Sequence, residues 1–578
     1  MQNKIRKSGE DLKLPICCFQ SVKVLLSINF RKGYKMKRVL SLLVILSIIV
    51  TSMMGCGKQK EASNSAPKET IKIDDSKLKD PYGLPNDYSA YPIKGNPTLT
   101  IWWPIDTFQA VAIKDMNAHE VWKEVAKMTG VNLKFISPPA GQENDQFNIM
   151  ISSGELPDII EQSDKYKGGI TAGIDDKVYL DLTSIVDKYC PNYKKFRESD
   201  EMRRKTSMDD KGRVTGFYNL APYSEWIWFG LLIKQEALDK TGLPVPETVD
   251  EWTTFLKKCK EAGYSQPLNY GSNYGQIFTG LINGAYGAYD WTYVDDSGKI
   301  QWGPIQPGAK PYLELMREWY KDGLINKDFT TADFNRRMAE ATSKDTAVIM
   351  DSPDTMWGVW KTGQNNIDFV EAPYPVLKKG DKPTSTYFHW KNGGWPASIT
   401  TSCKNVEAAA KFLDFGYTKK GWEIYNWGLE NRTHKIDDKG MPYYPDDSIM
   451  YHDPDNIPLS NLVWKYKLHQ GPFIRDEHHA NPLLVAKGSY SGKIREQWQN
   501  TTDFSHAVPP VSLTTEESAK EAQISTQLST LRNETFAKII TGSQPLSAWD
   551  DFVSKAKKMG SDEFISIWQK ALDRYNKR

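Results

Sequence analysis

From residue 98 onward, apolar positions along the chain switch repeatedly between strand-like runs and helical stripes. Thr98-Leu99-Thr100-Ile101-Trp102-Trp103 is β-rich and is ended by Pro104. His119 to Thr129 places Val121, Trp122, Val125 and Met128 on one helical face, with Gly130 as its stop. Val131 to Ile136 alternates as a strand. Phe147, Ile149, Met150 and Ile151 suit a second helix ending near Gly154, and Leu156 to Ile160 is a third short strand. This β-α-β-α-β order predicts an open α/β sheet, whose ligands lie beyond the strand C-terminal ends. Trp102, Trp103 and Asp106 follow the first strand, and Glu161, Gln162 and Ser163 follow the third.

Helical patterns dominate later. Thr248-Val249-Asp250-Glu251 is a capping box that opens a helix through Trp252, Phe255, Leu256 and Cys259. Residues 515–541 carry apolar positions at mixed three and four spacing, stopped by Gly542. Ser547 is read as the cap of a further helix, and Phe564, Trp568, Ala571, Leu572 and Tyr575 form the stripe of the last one. Asp209-Asp210-Lys211-Gly212, Asp295-Asp296-Ser297-Gly298 and Asp437-Asp438-Lys439-Gly440 read as hairpin turns, since Gly supplies positive φ and Asp tolerates turn geometry.

The N-terminal part has a different pattern. Val39 to Met54 is apolar except for Ser41, Ser47, Thr51 and Ser52, and Lys35, Lys37 and Arg38 precede it. It is shorter than the roughly 20 residues of a membrane span and reads as a secretory signal. The run ends at Met53-Met54-Gly55-Cys56, similar to the lipobox of bacterial lipoproteins, so Cys56 is the expected lipidation site. Met36-Lys37-Arg38 is an ordinary start, and translation is expected to begin there, leaving 1–55 as leader and signal. Residues 56–96, polar and then Pro-rich, read as the lipidated Cys and an extended tether.

Charge changes the picture once the leader is set aside. The 578-residue chain is formally +2, but residues 1–55 carry ten Lys or Arg against two acids, so the body is −6. An acidic body with no basic stripe excludes nucleic acid as a partner class. With 39% apolar and 12% aromatic residues, the chain is neither disordered nor a multi-span membrane protein. After Cys56 only Cys190, Cys259 and Cys403 remain, far apart and in no zinc spacing, so buried free thiols are expected.

Familiar catalytic and nucleotide signatures are missing. Gly416 to Gly421 has the P-loop spacing, but Trp422-Glu423 follows, so no Lys reaches a phosphate. There is no G-x-G-x-x-G, H-E-x-x-H or G-x-S-x-G. What stands out is aromatic supply in loop-like contexts: Trp226 and Trp228, Tyr270 and Tyr274, Trp357 and Trp360, Trp390 and Trp395, and Trp427. A sugar ring has an apolar C–H face and a hydroxyl rim. Aromatic platforms with Asn, Asp, Glu or Gln satisfy both.

Ser152-Ser153-Gly154-Glu155-Leu156-Pro157-Asp158 resembles the S-G-[DE]-L-P-D signature of family 1 extracellular solute-binding proteins of ABC importers. Leu231 to Lys234, Ala237 to Pro244 and Pro246 to Trp252 are similar to that family's lobe-entry stretch. Ala347-Val348-Ile349-Met350 is similar to its return strand. Trp427-Gly428-Leu429-Glu430 resembles a segment of its large lipoprotein subgroup, as do Phe536 to Gly542 and Gln569 to Tyr575. The resemblance spans about 97–578. Relatives that bind calcium carry an acidic loop after the capped helix. Here Lys260 to Pro267 has too few acids, so no metal is expected.

The resemblance implies a two-lobe periplasmic-binding-protein-like α/β fold of type II. Lobe one is expected at 97–222 plus 345–403, and lobe two at 223–344 plus 404–578. Ligand would lie between them. The expected function is capture of an oligosaccharide and delivery to ABC permease subunits, by a monomer lipid-anchored at the extracellular face, without a cofactor and without catalysis. Trp102, Trp226, Tyr270, Trp357, Trp395 and Trp427 are the candidate stacking residues. Asp106, Glu161, Gln162 and Glu430 are the candidate hydroxyl partners. An exported glycoside hydrolase, a binder of peptides or other solutes, and a surface sensor working with a kinase are the alternatives.

Overall fold

The computed structural model describes residues 70–270, 281–331, 334–362, 367–388, 391 and 394–578. The leader, signal and Cys56 lie outside the described residues, as do Tyr274 and Trp390.

Strands β1 (Thr98–Trp102), β2 (Asn132–Ile136) and β3 (Ile159–Glu161) pair in parallel, with β1 central. Helices Glu120–Thr129 and Glu143–Ser153 make the crossovers. Each stops where Gly130 and Gly154 take φ of +73°, a conformation that only glycine adopts freely. The second sheet contains β4 (Gly230–Lys234) and β5 (Leu268–Asn269). A separate hairpin, β6 (Thr292–Val294) and β7 (Ile300–Trp302), closes over the turn at Asp295. Strands β8 (Val348–Asp351) and β9 (Phe369–Ala372) flank β4 on either side, antiparallel to it. The last strand, β10 (Ala397–Ile399), returns to the first sheet antiparallel to β3.

Each sheet has its own core. Around the first lie Leu99, Ile101, Val121, Trp122, Val125 and Phe217, joined by Ala409, Phe412, Trp422 and Tyr425 from helices Val406–Asp414 and Lys419–Trp427. Around the second lie Leu231, Leu232, Trp252, Phe255, Leu313, Val348 and Ile349, joined by Leu528, Phe536, Phe552 and Phe564 from the C-terminal helices. This is the periplasmic-binding-protein-like arrangement that the sequence implies.

The partition of the chain differs from the expected one. Residues 348–351 and 369–372 belong to the second sheet, because Leu231–Ile233 and Val348–Met350 are all buried apolar residues paired in register. The return to the first sheet comes only at Ala397. Helices 406–414 and 419–427 pack in the first core rather than the second. The chain therefore crosses between cores near 221–227, 373–396 and 475–491.

The tether is also shorter than expected. Leu78, Leu84 and Ile93 are buried on the body. Lys79 N–H donates to Gly440 O (2.9 Å) and Ile93 N–H to Thr129 O (2.7 Å). Asp75 accepts from Tyr88 Oη (2.8 Å) and pairs with Lys419 (3.1 Å). Apolar residues this sparse make no period, yet each fills a gap that another segment leaves.

Capping follows the local sequence in part. Thr248 and Glu251 form the reciprocal capping box. Ser547 makes no side-chain cap bond. Cys190, Cys259 and Cys403 are free and buried.

Candidate functional site

A cavity of about 390 Å³ is lined by residues drawn from around both cores. Phe108, Trp228, Trp395 and Trp464 supply its aromatic surfaces. Glu225, Asp354, Gln470, Arg475, Glu477 and Arg495 supply its polar side.

Local structure explains how each aromatic is held. Phe108 sits in the loop beyond the C-terminal end of β1. Asp106 fixes that loop, its Oδ1 accepting from Gln109 N–H (2.8 Å) while Gln109 Oε1 accepts from Asp106 N–H (3.2 Å). Trp464 lies on helix Leu459–Tyr466, which is tied back by Asn461 Nδ2 donating to Phe108 O (2.9 Å).

Trp395 has φ of +48°. For a bulky residue this conformation costs on the order of 1–3 kcal/mol, and it persists only where the surroundings enforce it. The enforcement is visible. Asn219 N–H donates to Gly394 O (3.1 Å), Ala221 N–H to Lys391 O (2.8 Å) and Phe217 N–H to Ala397 O (2.9 Å). From the other side Ser163 N–H donates to Pro396 O (3.1 Å). Glu161 stands opposite Ala397 in the ladder, and Gln162 follows at φ +57°. Trp395, Glu161 and Gln162 are thereby gathered at one sheet end. Glu161 is fully buried, and its Oε2 has no hydrogen-bond partner. Burial, with Asp164 adding, pushes its carboxyl well above the usual range.

The polar side centres on two arginines. Arg495 Nη1 donates to Asp354 Oδ2 (2.9 Å), Nη2 to Trp226 O (2.8 Å) and Nε to Ile227 O (3.2 Å). Arg475 stands between Glu225 (3.2 Å) and Glu477 (3.2 Å). Burial raises Asp354 to about 6 against the pull of Arg495. Burial also raises Glu225. Burial pushes Glu477 up, but the surrounding positive groups, Arg475 first and then Arg495 and Lys467 among them, together hold it well below the carboxylate range. His469 is pushed down to about 3 by burial and is neutral at pH 7.

The other residues marked in the sequence lie elsewhere. Trp102 is buried against Phe147, with ring centroids 6.2 Å apart. Tyr270 is in the second core, its N–H bonded to Asn326 (2.8 Å). Trp357 packs with Leu483 and Ala486, and Trp427 packs with Tyr444. Trp226 stacks on His478 at 3.8 Å, and Tyr223 covers the other face of that ring at 3.9 Å. Glu430 sits in the turn bridged to His434 and does not line the cavity. These aromatics are close-packed because large apolar rings are the most effective core fillers.

Sequence reasoning passed over Phe108, Glu225, Asp354, Gln470, Trp464, Arg475, Glu477 and Arg495 as site residues. For Asp354 a signal was present: it lies three residues beyond the buried strand Val348–Asp351, where α/β sheets place ligands. Trp464 and Arg495 lie on helices whose apolar periodicity reports the core and not the cavity, and Phe108, Glu225, Gln470 and Arg475 come from loops.

A larger groove of about 630 Å³ lies along Val111–Glu120 and residues 449–466, with Arg432 paired to Glu120 across it. Its lining mixes seven aliphatic residues with six charged ones, His119 and Tyr466, so it has few aromatic faces where the smaller cavity has Phe108 and three tryptophans. Among the described residues no group of three or more His, Cys, Asp or Glu is placed to hold a metal, and no helix is long and apolar enough to cross a membrane.

A protein-family model described as bacterial extracellular solute-binding protein matches residues 66–421. Over 502 residues the chain is 22% identical to the fructooligosaccharide ABC transporter substrate-binding protein FusA of Streptococcus pneumoniae serotype 4, covering 80% of this chain and 88% of that protein. Over 337 residues it is 27% identical to lipoprotein LipO of Bacillus subtilis, covering 55% of this chain and 64% of that one. The crystal structure of alginate-binding protein AlgQ2 without calcium ion has the same fold, at a TM-score of 0.68 and 20% identity, covering 84% of this chain and 99% of that one.

Proposed function

The chain belongs to the bacterial extracellular solute-binding proteins, and from that premise we propose that it captures an oligosaccharide in the 390 Å³ cavity and passes it to ABC permease subunits. Capture is by a monomer held at the extracellular face of the cell membrane through a lipid on Cys56. No bond in the ligand is broken.

The observation that carries this reading is the composition of the cavity wall. Phe108, Trp228, Trp395 and Trp464 offer ring faces from segments around both cores, opposite a polar surface rich in acceptors. Sugar C–H faces stack on the rings while the hydroxyl rim meets Asp354 and Gln470. Asp106, Glu161 and Gln162 act one step back, fixing the loops that carry Phe108 and Trp395. The fructooligosaccharide ligand in the name of the S. pneumoniae relative supports the same ligand class.

Thermal melting of the purified protein against a glycan panel tests the reading. A saturable rise in Tm with at least one oligosaccharide, and no accumulation of reducing ends, is expected. Peptides alone raising Tm, or steady release of reducing sugar, would reject it. Cys56→Ser should move the protein from the membrane to the soluble fraction.

A further inference from the structure

Building on the oligosaccharide reading, we infer that this cavity selects uncharged sugars and rejects uronic acids, because both of its guanidiniums are already ion-paired with protein carboxylates while Asp354 and Gln470 each leave an acceptor without a donor. Three carboxylates line it (Glu225, Asp354 and Glu477), against two guanidiniums. His469 adds no charge at pH 7. The lining is therefore acidic by one formal charge.

The pairing matters more than the tally. Arg495 directs all three of its nitrogens at protein oxygens: Asp354 Oδ2, Trp226 O and Ile227 O. Arg475 is ion-paired on either side: Nη2 donates to Glu477 Oε2 at 3.2 Å, and Nε lies 3.2 Å from Glu225 Oε1 without a hydrogen bond. Lys467 lies close in sequence but donates to Ala480 O at 2.6 Å and is buried outside the lining. Among the described lining residues a ligand carboxylate meets no cation that is not already ion-paired. To gain one it must displace a protein carboxylate, leaving a buried acid unpaired.

Among the described residues, three buried lining atoms are left without a hydrogen bond: one is Arg475 Nε and the other two are acceptors. Asp354 is 8% exposed, and its Oδ1 has no hydrogen-bond partner. Gln470 Oε1 has none either. A buried acceptor without a donor is costly, and the donor that satisfies it is favoured accordingly. A hydroxyl can donate, whereas an ionised carboxylate only accepts. Small rearrangement of the Asp354 carboxyl toward a sugar O–H completes its bonding without disturbing Arg495.

Calorimetry on the purified protein with matched glycans tests this. One set holds neutral chains: kestose, nystose and malto-, cello- and xylo-oligosaccharides. The other holds oligogalacturonates and alginate oligosaccharides, together with carboxyl-reduced oligogalacturonates of the same linkage and length and C6-oxidised forms of any neutral binder. At least tenfold weaker binding of each uronate than of its uncharged counterpart is expected. Asp354→Asn should narrow that ratio, and Glu225→Gln provides a second variant if the first does not fold. A uronate that binds as tightly as its neutral counterpart overturns the inference while leaving oligosaccharide capture standing. A ratio unchanged in both variants overturns it as well. If no glycan of either set binds, the oligosaccharide reading itself fails, and this inference falls with it.

Discussion

Arg574 Nε lies 2.5 Å from Asp210 Oδ2, tying the last helix of the chain to a turn beside the first core. The two residues are 364 apart in sequence. Arg578 reaches the other oxygen of the same carboxylate at 2.6 Å, and Arg574 also holds Glu517 through Nη1 at 2.9 Å. Apart from the crossing segments, this cluster is a place where the two α/β halves are joined by charge.

Asp210→Ala should therefore weaken the joint. The side chains are 21–27% exposed at the central pair, so solvent screens it and a loss on the order of 1 kcal/mol is expected. The gap between wild type and variant in urea denaturation should shrink as salt rises, because screening removes the same interaction. Equal stability at low salt would show that the cluster contributes nothing.

Tryptophans that looked equivalent in the sequence should separate into two groups. Trp395→Ala removes a cavity wall and is expected to weaken glycan binding about fivefold, or about 1 kcal/mol, with little change in Tm. Trp427→Ala and Trp102→Ala vacate packed cores and should cost about 3–5 kcal/mol of stability. Trp226→Ala strips one face from His478 and should also act on stability first. Calorimetry and melting on the same preparations distinguish the groups.

His119 gives a pH signature. Burial lowers it to about 4, and one ring nitrogen meets Trp464 O at 3.0 Å. The unfolded chain takes up its proton below about pH 6.5, whereas the folded protein stays neutral down to about 4. Its contribution to stability is thus complete above 6.5 and is lost as pH falls toward 4. Between pH 7 and pH 5 this group alone should remove on the order of 2 kcal/mol. His119→Asn is expected to flatten the fall in that window, read by urea denaturation at each pH. An unchanged slope would place the acid sensitivity elsewhere.

Gly230 opens the central strand β4, and a Cβ built there would come within 2.3–2.5 Å of three Trp498 ring atoms. Trp498 cannot yield easily, since it is fully buried and its Nε1 donates to Ala372 O at 2.9 Å. Gly230→Ala should cost about 1–3 kcal/mol through overpacking, seen as a lower Tm. Gly212→Ala tests a different effect. Its Cβ would meet nothing, but its φ is +78°, so the penalty there is backbone strain in an exposed turn.

Local chemistry along the chain determined much of this protein. The β-α-β-α-β start, the glycine stops at 130 and 154, the Thr248 capping box and the turns at Gly212, Gly298 and Gly440 depend on neighbours within a few residues. Periodicity and backbone preference report such features directly. Partnerships made across hundreds of residues were decided only by the tertiary structure. Val348–Asp351 joins β4 rather than the first sheet because its apolar residues pair with Leu231–Ile233. Trp226 and Trp228 are two residues apart in one loop, yet the first is covered by His478 and the second lines the cavity. Their fates differ because burial depends on which distant segment arrives to cover a ring, and residues 475–495 carry no hydrophobic period to announce that they do so.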